Sequence, residues 1–135
     1  MVLTWLLAAG GLQAQSFTEQ DFSFNIVDVT THDTMRIAGT LTLPYGVEGQ
    51  VPAVILITGS GAQNRDEELM GHKPFKVIAE YLSARGYAVL RCDDRGVGES
   101  TGDMVNATTL DFAQDVEYQL DYLLTKPELF DPRRI

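Results

Sequence analysis

Apolar and polar residues alternate twice in the first third of the chain, and each alternation predicts a β-strand. Phe22, Phe24 and Ile26 stand at every second position of the first run, and residues 35–43 repeat the pattern in the second. Side chains two positions apart share one face of a strand, so each run has one apolar face. The residues between the runs, 31–34, are Thr, His, Asp and Thr, which favour a turn. Two strands joined by a short turn predict an antiparallel hairpin.

An uninterrupted apolar run covers residues 53–57 and stops at Thr58. Such a run is typical of a strand that is buried on both faces, in a parallel sheet covered by helices. The run leads into Gly59, Ser60 and Gly61, where glycine permits positive φ or the close approach of a ligand to the backbone. In α/β proteins ligands bind where buried strands end at the carboxyl edge of the sheet. We therefore expect a ligand site at this glycine loop.

A helix and a second buried strand are predicted after the glycine loop. Residues 63–72 are polar and irregular, and we expect them to form either a lid or a solvated connection. Pro74 suits the first turn of a helix, and Gly86 is a good stop. Between them, apolar residues recur at helical spacing: Phe75, Ile78, Ala79 and Leu82. Residues 87–90 form a second short apolar run, which predicts the next strand.

A second helix is predicted near the end of the chain, capped by Thr108 or Thr109. Its expected buried face consists of Leu110, Ala113, Val116, Leu120 and Leu123. Residues 133–135 resemble the start of a further strand. The order hairpin, strand, helix, strand, helix, strand predicts an α/β fold with a mixed sheet. That sheet is expected to be antiparallel at its start and parallel afterwards, with helices on both faces.

Composition narrows the possible functions. A chain of 135 residues forms one domain at most. It has 10 Lys and Arg against 19 Asp and Glu, and the net charge of −9 argues against a nucleic-acid partner. Cys92 is the one cysteine, which excludes an internal disulfide and a cysteine-based metal site. His32 and His72 match no zinc spacing, so we expect neither a metal nor a cofactor.

The N-terminus has features of an export signal. Residues 1–12 are apolar apart from Thr4, are too short to span a bilayer, and are followed by small residues. This pattern predicts a cleaved signal peptide, residues 1–16, followed by a folded domain, residues 17–135. The protein is then periplasmic or extracellular, with no stable membrane span. The basic residues of a signal are missing, since the first charge is Glu19, so an upstream start or a buried apolar segment remain alternatives.

Two motifs carry a resemblance to a known family. The sequence TGSG at residues 58–61 follows the third strand, and DRGVGES at residues 94–100 follows the fourth. With the order of elements, they resemble the α/β-hydrolase superfamily. Residues 59–66 together with residues 71–75 are similar to exported bacterial serine hydrolases of the esterase or peptidase-like type. The resemblance covers residues 22–135, the N-terminal part of that fold, truncated before its nucleophile elbow.

The resemblance implies a mechanism and a set of roles. In this family a serine attacks an acyl carbon, helped by a histidine and an acid, and all three are expected beyond residue 135. No catalytic residue is expected within this chain, which by itself is then inactive. By position, Ser60 and Gly61 belong to the oxyanion hole, while Gly59 and His72 lie at the active-site cleft. Thr58 replaces the family's commoner histidine. The implied substrate is a small ester, amide or peptide.

Other polar residues invite catalytic roles that their context does not favour. Gly98, Ser100 and Gly102 match the pattern G-x-S-x-G of a nucleophile elbow, in which the serine lies directly between a strand and a helix. Here seven residues separate the predicted strand from Gly98, so we expect Ser100 to be structural. Asp93 and Asp94 could serve in general acid–base catalysis, but we expect them to fix their loop by ion pairs and backbone hydrogen bonds.

Two alternatives from other functional classes stay open. A strand followed by a glycine loop also occurs in dinucleotide-binding oxidoreductases, and Asp93 at the end of the next strand suits such a unit. However, their fingerprint needs a third glycine where this chain has Asn64, and the helix starts late, near Lys73. A P-loop is excluded because the sequence has no G-K-[ST]. The other alternative is a non-catalytic binding domain on a hydrolase fold.

Overall fold

A computed structural model describes residues 16–135, so the predicted signal segment lies outside the described residues except for Ser16. The described residues form four strands and two helices. Their bounds are β1 Phe17–Val27, β2 Thr34–Pro44, β3 Ala53–Leu56, α1 Pro74–Ser83, β4 Ala88–Cys92 and α2 Thr109–Leu124.

The strands form one mixed sheet in the order β1-β2-β4-β3. β2 pairs antiparallel with β1 and with β4, whereas β3 and β4 are parallel. This arrangement confirms the predicted hairpin and the mixed sheet. Because β3 and β4 are parallel, the loops that follow them leave the same edge of the sheet.

Helices cover both faces of the sheet, as predicted. Leu123 of α2 belongs to the same buried core as Met35 and Ile37 of β2. On the opposite face the Ser83 hydroxyl of α1 donates to the Thr42 carbonyl, 3.2 Å away. β2 is consequently buried on both sides along most of its length. Neither described helix is long and apolar enough to cross a membrane.

The third strand is shorter and less buried than the apolar run predicts. It ends at Leu56, and Ile57 is 60% exposed. The reason is its position, because β3 forms an edge of the described sheet. Residues 133–135, expected to begin a further strand, do not form one. The Arg134 carbonyl accepts a single hydrogen bond from the Ala53 N–H of β3, 3.0 Å away. A single backbone hydrogen bond does not make a β-ladder between these residues and β3.

The buried face of α2 also differs from the predicted apolar stripe. Leu110 is 69% exposed, Ala113 and Leu120 are exposed as well, and only Leu123 of the stripe is fully buried. The helix instead buries one residue per turn in the series Asp111, Asp115, Gln119 and Leu123. Carboxylates can occupy this face because Arg95 lies beneath the helix and pairs with them. Thr108 caps the helix in a capping box with Asp111, one of the two caps predicted.

Candidate functional site

The glycine loop leaves two backbone donors without partners. Gly61 adopts φ +99°, a conformation that other residues rarely tolerate. The Gly59 N–H donates to a Glu67 carboxylate oxygen 2.6 Å away. The N–H groups of Ser60 and Gly61 have no acceptor among residues 16–135, and both residues are exposed. The loop therefore presents two adjacent free N–H groups at the carboxyl edge of the sheet.

A cavity of about 370 Å³ opens beside these donors. This volume lies within the ~300–1,000 Å³ of small-molecule sites. The cavity lies between the glycine loop, the ends of β3 and β4, and α2. Its walls are Ile37, Leu56, Ile57, Thr58, Gly59, Ser60, Gly61, Cys92, Asp93, Asp94, Met104, Phe112, Asp115, Val116 and Gln119. The structure thus brings Gly59, Ser60 and Gly61 together on one wall of a largely apolar cavity.

His72 does not contribute to that cavity. It is exposed, and its backbone exchanges two hydrogen bonds of 2.9 Å with Leu69. Met70 and Gly71 between them have φ values of +52° and +80°, which close a tight turn. The expected position of His72 at an active-site cleft stays a prediction, and the contacts of these residues do not support it.

Asp94 ties the two ends of the glycine loop together. The Thr58 hydroxyl donates to one oxygen of its carboxylate, 2.5 Å away, and the Gln63 N–H donates to the other, 2.9 Å away. The Asp94 N–H in turn donates to the Gln63 carbonyl, 3.1 Å away. Burial raises the pKa of Asp94, and the bonds from Thr58 and Gln63 oppose part of that rise. The carboxylate therefore acts as a clamp across the loop.

Asp93 is fully engaged in holding the neighbouring loops. Its carboxylate accepts from the Arg65 guanidinium at 2.6 Å, from the Arg65 N–H at 2.8 Å and from the Glu99 N–H at 3.0 Å. Burial acts to raise the pKa of Asp93, but these partners outweigh it and hold the pKa below its usual value. Burial also raises the pKa of the Cys92 thiol, which makes it unreactive. Asp93 is therefore not suited to act as a general acid or base, and Cys92 is not suited to act as a nucleophile.

Ser100 is buried and its hydroxyl is used twice. It donates to the Asp93 carbonyl and accepts from the Ala38 N–H, each at 2.9 Å. It does not line the cavity. These bonds join the loop after β4 to the edge of β2, which supports the structural role expected for this serine.

Two arginines organise the site. Sequence analysis assigned no role to Arg65, and for the loop that contains Arg95 it expected ion pairs without identifying their partners. Arg65 lies in the stretch expected to be a lid or solvated connection, yet its ion pair with Asp93 fixes this stretch to the end of β4. Arg95 is buried and pairs with Asp28 at 2.6 Å and with Asp115 at 2.8 Å. The signal available in the sequence was only their proximity to acidic residues, which does not distinguish buried pairs from solvated ones.

The geometry gives little support to cofactor binding. Within residues 16–135, no group of three His, Cys, Asp or Glu side chains could hold a metal ion. α1 begins only at Pro74, so its N-terminus does not directly follow the glycine loop, as a pyrophosphate site of the dinucleotide-binding type requires. Asn64, at the place of the third glycine, accepts hydrogen bonds from the N–H groups of Asp66 and Glu68. The dinucleotide alternative is therefore not favoured.

Comparison with a curated relative relates the chain to an esterase. No family model matches this sequence. Esterase EstD of Thermotoga maritima is 36% identical over 102 residues, which make up 76% of this chain. The match covers 21% of that esterase, so the chain spans about a fifth of its relative's length.

Several solved structures share the fold at lower identity. Hypothetical protein PA2218 from Pseudomonas aeruginosa aligns with 96% of this chain and 38% of its own, with a TM-score of 0.61 and 22% identity. The α/β hydrolase GrgF from Penicillium sp. sh18 aligns with 83% of this chain and 34% of its own (TM-score 0.58, 21% identity). A cold-adapted esterase from an Arctic intertidal metagenomic library aligns with 93% and 52% (TM-score 0.58, 18% identity). These structures show that the chain carries the N-terminal part of the α/β-hydrolase fold. With the 36% identity to an esterase over 76% of the chain, the chain belongs to the α/β-hydrolase superfamily.

Proposed function

We propose that the protein containing these residues hydrolyses carboxylic esters, with amide or peptide bonds as the alternative substrate. The observation that carries the proposal is the pair of free N–H groups, at Ser60 and Gly61, on the wall of the cavity. The similarity to an esterase supports the ester class. In this proposal the substrate is a small molecule or peptide, and no cofactor takes part.

The proposed chemistry needs donors where this loop has them. A serine oxygen adds to the acyl carbon, and the carbonyl oxygen becomes an oxyanion that requires two hydrogen-bond donors. The loop after the third strand supplies one N–H, and the residue after the nucleophile supplies the other. We assign the first donor to Ser60, with Gly61 beside it. The serine, the histidine base and its acid come from the chain after Ile135, so residues 1–135 alone have no turnover.

The test replaces the proposed donor in the full-length protein. Ser60→Pro deletes the N–H and should lower kcat on a short-chain aryl ester by ~10²–10³-fold, the typical loss for one oxyanion donor. Ser60→Ala keeps the N–H and serves as the control, with kcat close to wild type. Circular dichroism must show that both variants fold. Full kcat in a folded Ser60→Pro variant would contradict the assignment.

A second measurement separates the proposal from its alternatives. A fluorophosphonate probe reacts with an activated serine, so the full-length protein should be labelled at one serine and lose turnover. A non-catalytic binding domain would show neither labelling nor hydrolysis. A dinucleotide-binding protein would instead bind a nicotinamide cofactor, which fluorescence detects. Comparing an aryl ester with the matched anilide then decides between ester and amide specificity.

We also propose that the protein is exported through a signal peptide, residues 1–16. The support is the apolar sequence of residues 1–12 and the small residues after it. β1 begins at Phe17, the first residue after this segment. N-terminal sequencing of protein from a bacterial periplasm or medium should begin near Gln15 or Phe17. Protein with an intact Met1 in the cytoplasm would contradict the proposal.

A further inference from the structure

The free donors of the glycine loop sit in a segment with little support of its own. Gly59 and Gly61 allow many backbone conformations, and residues 59–62 form no part of a helix or strand. Their described contacts are the Gly59 N–H bond to Glu67 and a long 3.4 Å bond from the Gln63 side chain to the Ser60 carbonyl. Neither contact fixes the direction of the Ser60 or Gly61 N–H.

The loop is fixed instead from its two ends, by one carboxylate. Thr58 precedes the glycines and Gln63 follows them, and both donate to Asp94. The return bond from the Asp94 N–H to the Gln63 carbonyl makes a three-bond clamp. Closing a short loop at both ends removes much of the conformational freedom between them.

The clamp itself rests on a rigid base. Asp94 follows β4, in which all five residues are buried. Its carbonyl accepts from the Val97 N–H at 3.0 Å, and the preceding residue, Asp93, is held by Arg65 at 2.6 Å. The sheet therefore fixes the position of Asp94. The hydrogen bonds from Thr58 and Gln63 to Asp94 then fix the two ends of the glycine loop.

We propose that Thr58 and Asp94 are positioning residues, which aim the Ser60 and Gly61 N–H groups at the developing oxyanion. The inference rests on the proposed function and adds two residues to its machinery. It also gives a role to Thr58, which stands where the family commonly has histidine. Neither residue needs to touch the substrate, because an oxyanion donor displaced by about 1 Å can cost as much as ~10²-fold in rate.

The test removes the threonine hydroxyl without changing the side-chain shape. In the full-length protein, Thr58→Val should lower kcat on a short-chain aryl ester about 10-fold, while KM changes less than about twofold. Thr58→Ser keeps a hydroxyl and should restore most of kcat. Thr30→Val is the matched control, since it removes another threonine–aspartate bond, 2.6 Å long to Asp111, away from the cavity. It should lower the melting temperature and leave kcat unchanged.

Hydrogen exchange provides a readout that does not depend on turnover. The Gln63 amide, which donates to Asp94, should exchange faster in Thr58→Val than in wild type, and not faster in Thr30→Val. If wild type turns over the ester and Thr58→Val keeps full kcat with unchanged exchange, the positioning role is wrong and the proposed function stands. If folded wild type shows neither turnover nor labelling by a fluorophosphonate, the proposed function and this inference both fail.

Discussion

At the scale of single residues, the described part of the chain is organised by buried charges. Arg95 is 2% exposed and bonds to two other segments of the fold. Its guanidinium donates to Asp28 in the hairpin turn and to Asp115 of α2, and it also donates to the Asp111 carbonyl at 3.1 Å. Asp115 raises the pKa of Arg95 most, so the guanidinium stays charged. One cation thus holds the hairpin, the loop after β4 and the first turns of α2.

Removing this cation should destabilise the fold severely. Arg95→Met keeps much of the side-chain volume but leaves the buried carboxylates of Asp28 and Asp115 without their partner. Breaking a buried pair in this way costs about 3–5 kcal/mol. Urea denaturation of the full-length protein, followed by circular dichroism, measures the loss.

The control for this prediction is an arginine at the surface. Arg36 is exposed and donates to the Glu99 carbonyl at 2.8 Å. Arg36→Met should cost less than about 1 kcal/mol, as is typical of exposed charged groups. Equal losses in the two variants would show that the cluster around Arg95 contributes no more than a surface contact.

At the scale of elements, the packing of β2 against β4 depends on one glycine. A Cβ added at Gly39 would lie 2.3 Å from the Arg91 carbonyl oxygen, 2.8 Å from Phe22 and 2.9 Å from the Cys92 sulfur. A backbone carbonyl in a buried strand cannot move away without breaking the ladder. Glycine inside a strand commonly marks such a close approach.

Gly39→Ala should therefore destabilise the protein by about 3 kcal/mol, the upper end of the cost of overpacking a core. Gly46→Ala is the comparison, because its added Cβ meets nothing within 4 Å and the strain comes only from φ +72°. That strain is worth about 1–2 kcal/mol. Thermal unfolding of the full-length protein ranks the two variants. A Gly39→Ala variant as stable as Gly46→Ala would mean that β2 and β4 can separate at little cost.

The elements were predictable where periodicity decides them, and less so where buried charge does. Alternation located the hairpin, and proline and glycine located α1, because these signals are local. The predicted buried face of α2 was wrong, because a hydropathy pattern assigns aspartates to the surface, whereas Asp111 and Asp115 are buried. Their burial depends on Arg95, which is 16 and 20 residues away from them in sequence but adjacent in space.

At the scale of the whole molecule, the glycine loop was predictable and its support was not. Gly59, Ser60 and Gly61 stood out because an uninterrupted apolar run stops just before them. The clamp by Asp94 joins residues 31 or more positions apart, and no local pattern encodes such a contact. The cavity likewise depends on α2, which reaches the loop only through the tertiary fold.

β3 is one of the two edge strands of the described sheet, with β1 at the opposite edge. The Ala53 N–H points away from β4, since it donates to Arg134, whereas the Pro52 carbonyl accepts from Ala88 of β4. Backbone groups alternate in direction along a strand, so the N–H of Ile55 also points outward. Among residues 16–135, β4 is the one strand that pairs with β3, so no strand faces this N–H. An exposed apolar edge of this kind pairs readily with other chains.

Residues 17–135 expressed alone should therefore associate at concentrations on the order of 10 µM. They should also hydrolyse no ester above background, because the proposed serine, histidine and acid are not among them. Ile55→Pro removes the outward N–H without removing a bond to β4, so it should shift the protein toward monomer in light scattering. Ile55→Ala is its control, because it shortens the same side chain, keeps the N–H and should still associate. A monomeric, cooperatively unfolding wild-type segment would show that the edge is protected. Equal association of the two variants would place the contact away from β3, either on the β1 edge or on exposed apolar residues of the helices such as Leu110 and Tyr81.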